Sequence, residues 1–161
     1  MEVEHAIEIY PGFAQAFCMK ALIRLAEKDF KGSIESAAQA IRLNSAEAYS
    51  WVALATAYNS LNEWPEAGAA AGRALDLDSH AWQGRLELAK SFYGEGKFAL
   101  ALNTLDQVTQ NVPDIHLVRA NSFMRIGRTQ EAAQQFSLFV TETPGDARVE
   151  QIRQILSRMQ N

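Results

Sequence analysis

Residues 48–79 read AYSWVALATAYNSLNEWPEAGAAAGRALDLDS, and the order of small and large side chains in that stretch decides the fold. Trp51, Leu54, Ala55 and Tyr58 recur at spacings of three and four, which places them on one stripe of a helix. After Asn62 and Glu63 a second stripe begins with Trp64, Ala67, Ala71 and Ala74. Pro65 suits the first turn of that second helix, where its missing N–H loses no bond. The stretch is therefore expected to form two helices joined by a short turn.

The same pattern recurs on both sides. Phe30, Trp64 and Phe98 lie 34 residues apart, as do Ala21, Ala55 and Ala89, and again Ala40, Ala74 and Val108. Upstream, Ala6, Ile7 and Ile9 anticipate Ala40, Ile41 and Leu43. Downstream the period shortens to 31, from Ala89 to Ala120, Phe92 to Phe123, Gly96 to Gly127, Ala101 to Ala132 and Pro113 to Pro144. A helical pair of this length cannot bury its apolar faces alone, so successive pairs must stack to build a core. The periodicity predicts helices over 2–9, 14–27, 30–43, 46–60, 64–76, 80–94, 97–110, 114–126, 129–142 and 146–159. Ser45 and Ser79 are the expected N-caps of two of them, and Gly94, Gly96 and Gly127 the expected turn residues within units.

Composition agrees with a helical array. The 161 residues include 41 Ala and Leu against 16 Val and Ile, with only 4 Pro and 9 Gly, and 48% are hydrophobic. That excludes a disordered, collagenous or strand-and-turn-rich chain. A single cysteine, Cys18, permits no internal disulfide. Net charge is −4, which argues against a nucleic-acid partner. No apolar run approaches the ~18 residues of a membrane span, and the acidic start is unlike a signal peptide. A soluble protein of cytoplasm or periplasm is expected, with the compartment left open.

The stretch Ala48, Trp51, Leu54-Ala55, Tyr58, Trp64, Ala67, Ala71, Ala74-Leu75 resembles the tetratricopeptide repeat, a helix–turn–helix unit, in a bacterial-type array. The next unit keeps Leu88-Ala89, Phe92, Gly96, Phe98, Ala101, Leu105 and Pro113, and the last keeps Ala120, Phe123, Gly127, Ala132, Phe136 and Pro144. The resemblance implies an all-α, right-handed α–α superhelix, or solenoid, of about three and a half hairpins with a C-terminal capping helix. It divides one domain over 1–161 into a half repeat at 1–11, repeats at 14–45, 48–79 and 82–113, a shortened repeat at 114–144 and the cap at 146–159. Three departures are expected to pack loosely: Lys20 stands where the family has Leu, and Arg85 and His116 where it often has Trp. The three residues lost between Pro113 and Ala120 are expected to shorten the inner helix of the last unit by about a turn.

Nothing in the sequence forms a catalytic, cofactor or metal constellation. His5, His80 and His116 belong to different units, Cys18 has no ligand neighbour, and Gly94-Glu95-Gly96 lacks the rest of a phosphate loop. No enzyme activity and no cofactor are expected. By resemblance, the inner helices line a groove for a peptide or helix of a protein partner. The groove positions are Gln15, Cys18, Met19 and Leu22, then Tyr49, Val52, Thr56 and Asn59, then Gln83, Leu86, Lys90 and Tyr93, and finally Leu117, Val118, Asn121 and Met124. The family members that hold acidic chaperone tails carry Lys, Asn and Arg at set positions. Here Cys18, Leu22, Ala53, Gln83 and Glu87 stand there, so a peptide ending in an acidic carboxylate is expected not to bind.

Residues 2–11 resemble only the second half of a repeat and leave Val3, Ala6, Ile7 and Tyr10 without a first half to stack on. Two explanations stand. Either the chain is the C-terminal part of a longer protein, or this face docks another subunit. The second makes self-assembly into a homo-oligomer the rival function, with Ile7→Asp expected to abolish it.

Overall fold

The structure, a computed structural model, describes residues 2–159. Among these residues there are ten helices and no strand: α1 (Glu2–Ile9), α2 (Ala14–Ala26), α3 (Phe30–Leu43), α4 (Ala48–Ser60), α5 (Trp64–Leu77), α6 (Trp82–Gly94), α7 (Phe98–Asp106), α8 (Pro113–Arg125), α9 (Thr129–Glu142) and α10 (Val149–Met159). They pair as hairpins α2/α3, α4/α5, α6/α7 and α8/α9, and each outer helix of the first three hairpins also packs on the inner helix that follows. The inner helices α2, α4, α6 and α8 touch in succession, whereas no outer helix of one hairpin meets that of the next among the described residues. The stack is therefore tighter on the inner side, and the inner helices line its concave face.

Small residues make that close stacking possible. Ala21, Ala55, Ala89 and Ala120, at the same place in successive inner helices, have no exposed surface, and neither do Ala40, Ala74, Ala101 and Ala132 on the outer ones. Larger side chains fill the space beside them, with Leu25, Ile34, Trp51 and Tyr58 around one cluster and Phe92, Trp82 and Tyr93 around the next. The hairpin turns repeat as well. Lys28, Asn62, Gly96 and Gly127 occupy the left-handed region at φ 62°, 62°, 78° and 78°. Each closes the preceding helix, so that the Asp29, Glu63, Lys97 and Arg128 N–H groups donate back to the Arg24, Tyr58, Phe92 and Phe123 carbonyls. Gly94 has another role: it ends α6 against the Trp64 ring, where an added Cβ would lie 2.1 Å from a ring carbon.

Several local expectations need correction. The shortening to a 31-residue period does not fall on the inner helix, because α8 has 13 residues like α2, α4 and α6. It falls on α7, with 9 residues against 14 in α5, followed by an irregular stretch at 107–112. Arg119 explains the stop: its Nη2 donates to the Leu105 carbonyl at 2.8 Å, capping the cut end of α7. Arg85 and His116 do not pack loosely. Trp51 Nε1 donates to the Ser45 carbonyl, and Arg85, 34 residues on, donates in the same way to the Ser79 carbonyl. His116 is buried with Nδ1 2.8 Å from Gln135 Oε1 and Nε2 3.2 Å from Asn111 Oδ1. Ser45 and Ser79 thus act through their carbonyls and not as N-caps; Glu47 and Ala81 hold the cap positions of α4 and α6.

The ends differ. At the C-terminus, Val149 and Ile152 of α10 are buried against the last hairpin. Arg148 precedes the helix, bridging Asp146 at 2.8 Å and Asp114 at 2.9 Å while its guanidinium lies 5.0 Å from the Phe139 ring centroid. At the N-terminus, α1 packs against α2 alone among the described helices. Val3, Ala6 and Ile7 are half-buried, so three of the four residues expected to be free are partly covered. Tyr10 is 67% exposed, and the apolar surface shifts to Ile9, Tyr10 and Phe13.

Candidate functional site

The concave face is built from positions that repeat on the inner helices, so its chemistry depends on which side chains point away from the outer partners. Gln15, Met19, Leu22, Tyr49, Asn121 and Met124 are exposed, and Val52, Thr56, Gln83, Lys90 and Tyr93 are half-buried. Cys18 and Leu86 are buried and belong to the packing between helices, which corrects their assignment to the groove. Burial pushes the Cys18 thiol up from its ordinary range. Leu117 and Val118 are half-buried and lean on two different core clusters, Leu117 on the last and Val118 on the middle one.

Six of the expected positions converge. Thr56 and Asn59 of α4, Lys90 and Tyr93 of α6, and Val118 and Asn121 of α8 surround a cavity of about 260 Å³. Ser60, Trp64 and Glu87 complete its wall. Two of those escaped the sequence reading, Trp64 because it reads as a core aromatic of the repeat and Ser60 because it reads as a helix end. Glu87 had entered it only as a residue standing where the family holds an acidic tail.

Glu87 is in fact 5% exposed, and its carboxylate is held from two sides. Lys90 Nζ donates to Oε1 at 2.8 Å, and Asn59 Nδ2 donates to Oε2 at 2.8 Å. Asn59 Nδ2 also donates to the Glu87 carbonyl at 2.9 Å, tying the last turn of α4 to the middle of α6. Two acceptors on that side require the amide nitrogen there, so the opposite atom of Asn59 must be its oxygen. That Oδ1 is buried without a partner among the described residues. An unmatched buried acceptor is costly.

The hydroxyls add to the same tendency. Thr56 Oγ1 donates to the Val52 carbonyl and Ser60 Oγ to the Thr56 carbonyl, so each leaves only lone pairs for another group. The cavity therefore combines aromatic and aliphatic wall with several acceptors drawn from α4 and α6. Among the described residues, no three His, Cys, Asp or Glu side chains gather as a metal-holding group. No helix among them is long and apolar enough to cross a membrane.

A sequence model of the tetratricopeptide repeat matches residues 18–81 and 86–147. The chain belongs to the tetratricopeptide repeat family. No curated protein matches the sequence. Among solved structures, a thermophilic tetratricopeptide repeat protein of Thermus thermophilus superimposes with a TM-score of 0.80 at 17% identity, over 98% of this chain and 86% of its own. A tetratricopeptide repeat protein of Parabacteroides merdae gives 0.76 at 14% identity, over 99% of this chain and 62% of its own. YrrB, a tetratricopeptide repeat protein with an unusual peptide-binding site, gives 0.70 at 18% identity over 92% and 78% of the two chains. At these identities the likeness concerns the fold, which is the right-handed solenoid of tetratricopeptide repeats. The family's members are protein-interaction modules that take protein or peptide partners.

Proposed function

We propose that this tetratricopeptide repeat protein is a non-catalytic scaffold that holds a peptide or helix of a protein partner against its concave face. The observation that carries the reading is the cavity between α4, α6 and α8, lined by side chains from three successive inner helices. Apolar burial against Tyr93, Trp64 and Val118 supplies the bulk of the attraction, and the Thr56 and Ser60 hydroxyl oxygens supply direction. Met19, Leu22 and Tyr49 continue an exposed apolar track on α2 and α4, where adaptable Met and amphipathic Tyr suit a protein partner. The Glu87 carboxylate is held by Lys90 and Asn59, an arrangement that gives a structural role to the one buried acid of the cavity. Similarity to YrrB, a protein of the same fold with a peptide-binding site, supports the reading by analogy.

Selection of 12-residue peptides from a displayed library, followed by calorimetry, tests it. The expected result is saturable 1:1 binding that Asn121→Trp abolishes, since Asn121 is exposed and its replacement fills the cavity without touching the core. Peptides that bind the Asn121→Trp variant equally well would contradict the concave site. A peptide ending in a free acidic carboxylate is expected not to bind.

A second reading, self-assembly through the N-terminal half repeat, is favoured by one observation. Ile9, Tyr10 and Phe13 are exposed and, with Pro11, border an open apolar hollow of about 650 Å³. Tyr10→Asp, at the most exposed of these positions, tests it better than a change at half-buried Ile7. Light scattering across a dilution series should then show a dissociating oligomer that the variant reduces to a monomer near 18 kDa. A mass near that value at every concentration of the unaltered chain would remove the idea.

A further inference from the structure

We propose that the cavity between α4, α6 and α8 is an arginine subsite, taking the guanidinium of a basic partner segment. The inference rests on the concave-groove reading and adds the chemistry of the guest. Every polar group that α4 presents there is an acceptor. Thr56 and Ser60 have given their hydroxyl protons to carbonyls of their own helix, and Asn59 has given both donor contacts to Glu87. Asn59 Oδ1 lies in a residue only 8% exposed and has no partner among the described residues. On α6, the Glu87 carboxylate carries two contacts, one to each oxygen, out of roughly four that a carboxylate accepts. A guest that fits this set must bring several donors, and a flat one matches the Trp64 and Tyr93 rings.

A guanidinium meets both requirements, with five N–H groups in a planar fork and no acceptor. The obstacle is Lys90, whose ammonium already neutralises Glu87. That ammonium holds one oxygen only, from a side chain 32% exposed, and can turn outward to water. A fork that reaches the Glu87 carboxylate and the Thr56 and Ser60 hydroxyl oxygens replaces it with more bonds. An acidic guest, by contrast, would set its charge against the Glu87 carboxylate and bring acceptors that the α4 side of the wall cannot match. An uncharged apolar guest would leave the Thr56 and Ser60 acceptors unmatched.

The acetylated and amidated peptide Ser-Ala-Leu-Ala-Xaa-Ala-Leu-Ala-Ser tests this, with Xaa as arginine, citrulline, leucine or glutamate. Binding is followed by shifts of the backbone amides of the 15N-labelled protein. Arginine should bind roughly tenfold tighter than citrulline, which has the same shape without the charge. Glu87→Gln, which keeps a partner for Asn59, should remove that preference, and Lys90→Ala should strengthen arginine binding several-fold. Equal binding of arginine and citrulline, or a preference untouched by Glu87→Gln, would overturn the inference. If Asn121→Trp still abolished binding in those cases, the groove itself would stand and only its guest would be wrong. Arginine binding that survives Asn121→Trp would count against both.

Discussion

Lys28 and Asn62 hold the same left-handed turn that Gly96 and Gly127 hold in the later hairpins. A side chain in that region costs about 1–2 kcal/mol, less so for Asn, which tolerates it. Lys28→Gly is therefore expected to raise stability by about 0.5–1 kcal/mol, and Gly96→Ala to lower it by about 1 kcal/mol, in urea unfolding. An unchanged midpoint for both would mean the turns are not under that strain. These residues also show what a sequence discloses at this scale. Gly96 and Gly127 announce a turn by their type, whereas Lys28 is recognised only through its place 34 and 68 residues before Asn62 and Gly96. Glu87 was legible as a residue at a tail-holding position, but its burial was not, because Asn59 reaches it from the neighbouring hairpin.

At the scale of elements, the helices were legible because each carries a stripe of small and large apolar residues in fixed register. Their ends were less so. Loss of three residues between the third and fourth units says nothing of which helix yields, and the answer depends on Arg119 reaching the Leu105 carbonyl from α8. The groove was legible to a similar degree. The family resemblance pointed to Thr56, Asn59, Lys90 and Tyr93, but also to Cys18 and Leu86, which their helices turn toward neighbours. The capping helix carries an acid-sensitive contact. Hydrogen bonds from Arg148 hold the Asp146 carboxyl down to about 2, from an ordinary 3.8. A depressed folded value means the contact stabilises the cap fully above the unfolded value and loses that effect as pH falls toward about 2. Protection factors of the α10 amides should drop over that window in the unaltered chain and show no such drop in Asp146→Asn. A profile shared by both would show that the cap does not depend on this carboxylate.

Over the whole molecule, stability is a sum of hairpins and the interfaces between them, and the curvature that arises from touching inner helices creates the concave face. Function at this scale is a matter of where along that face a partner lies. The most direct measurement is a map of backbone amide shifts when a library-selected peptide is added to the 15N-labelled protein. The account predicts that the largest shifts fall on α4, α6 and α8, around Asn59, Glu87 and Asn121. Shifts confined to the outer helices α3, α5, α7 and α9, or to residues 9–13, would contradict it.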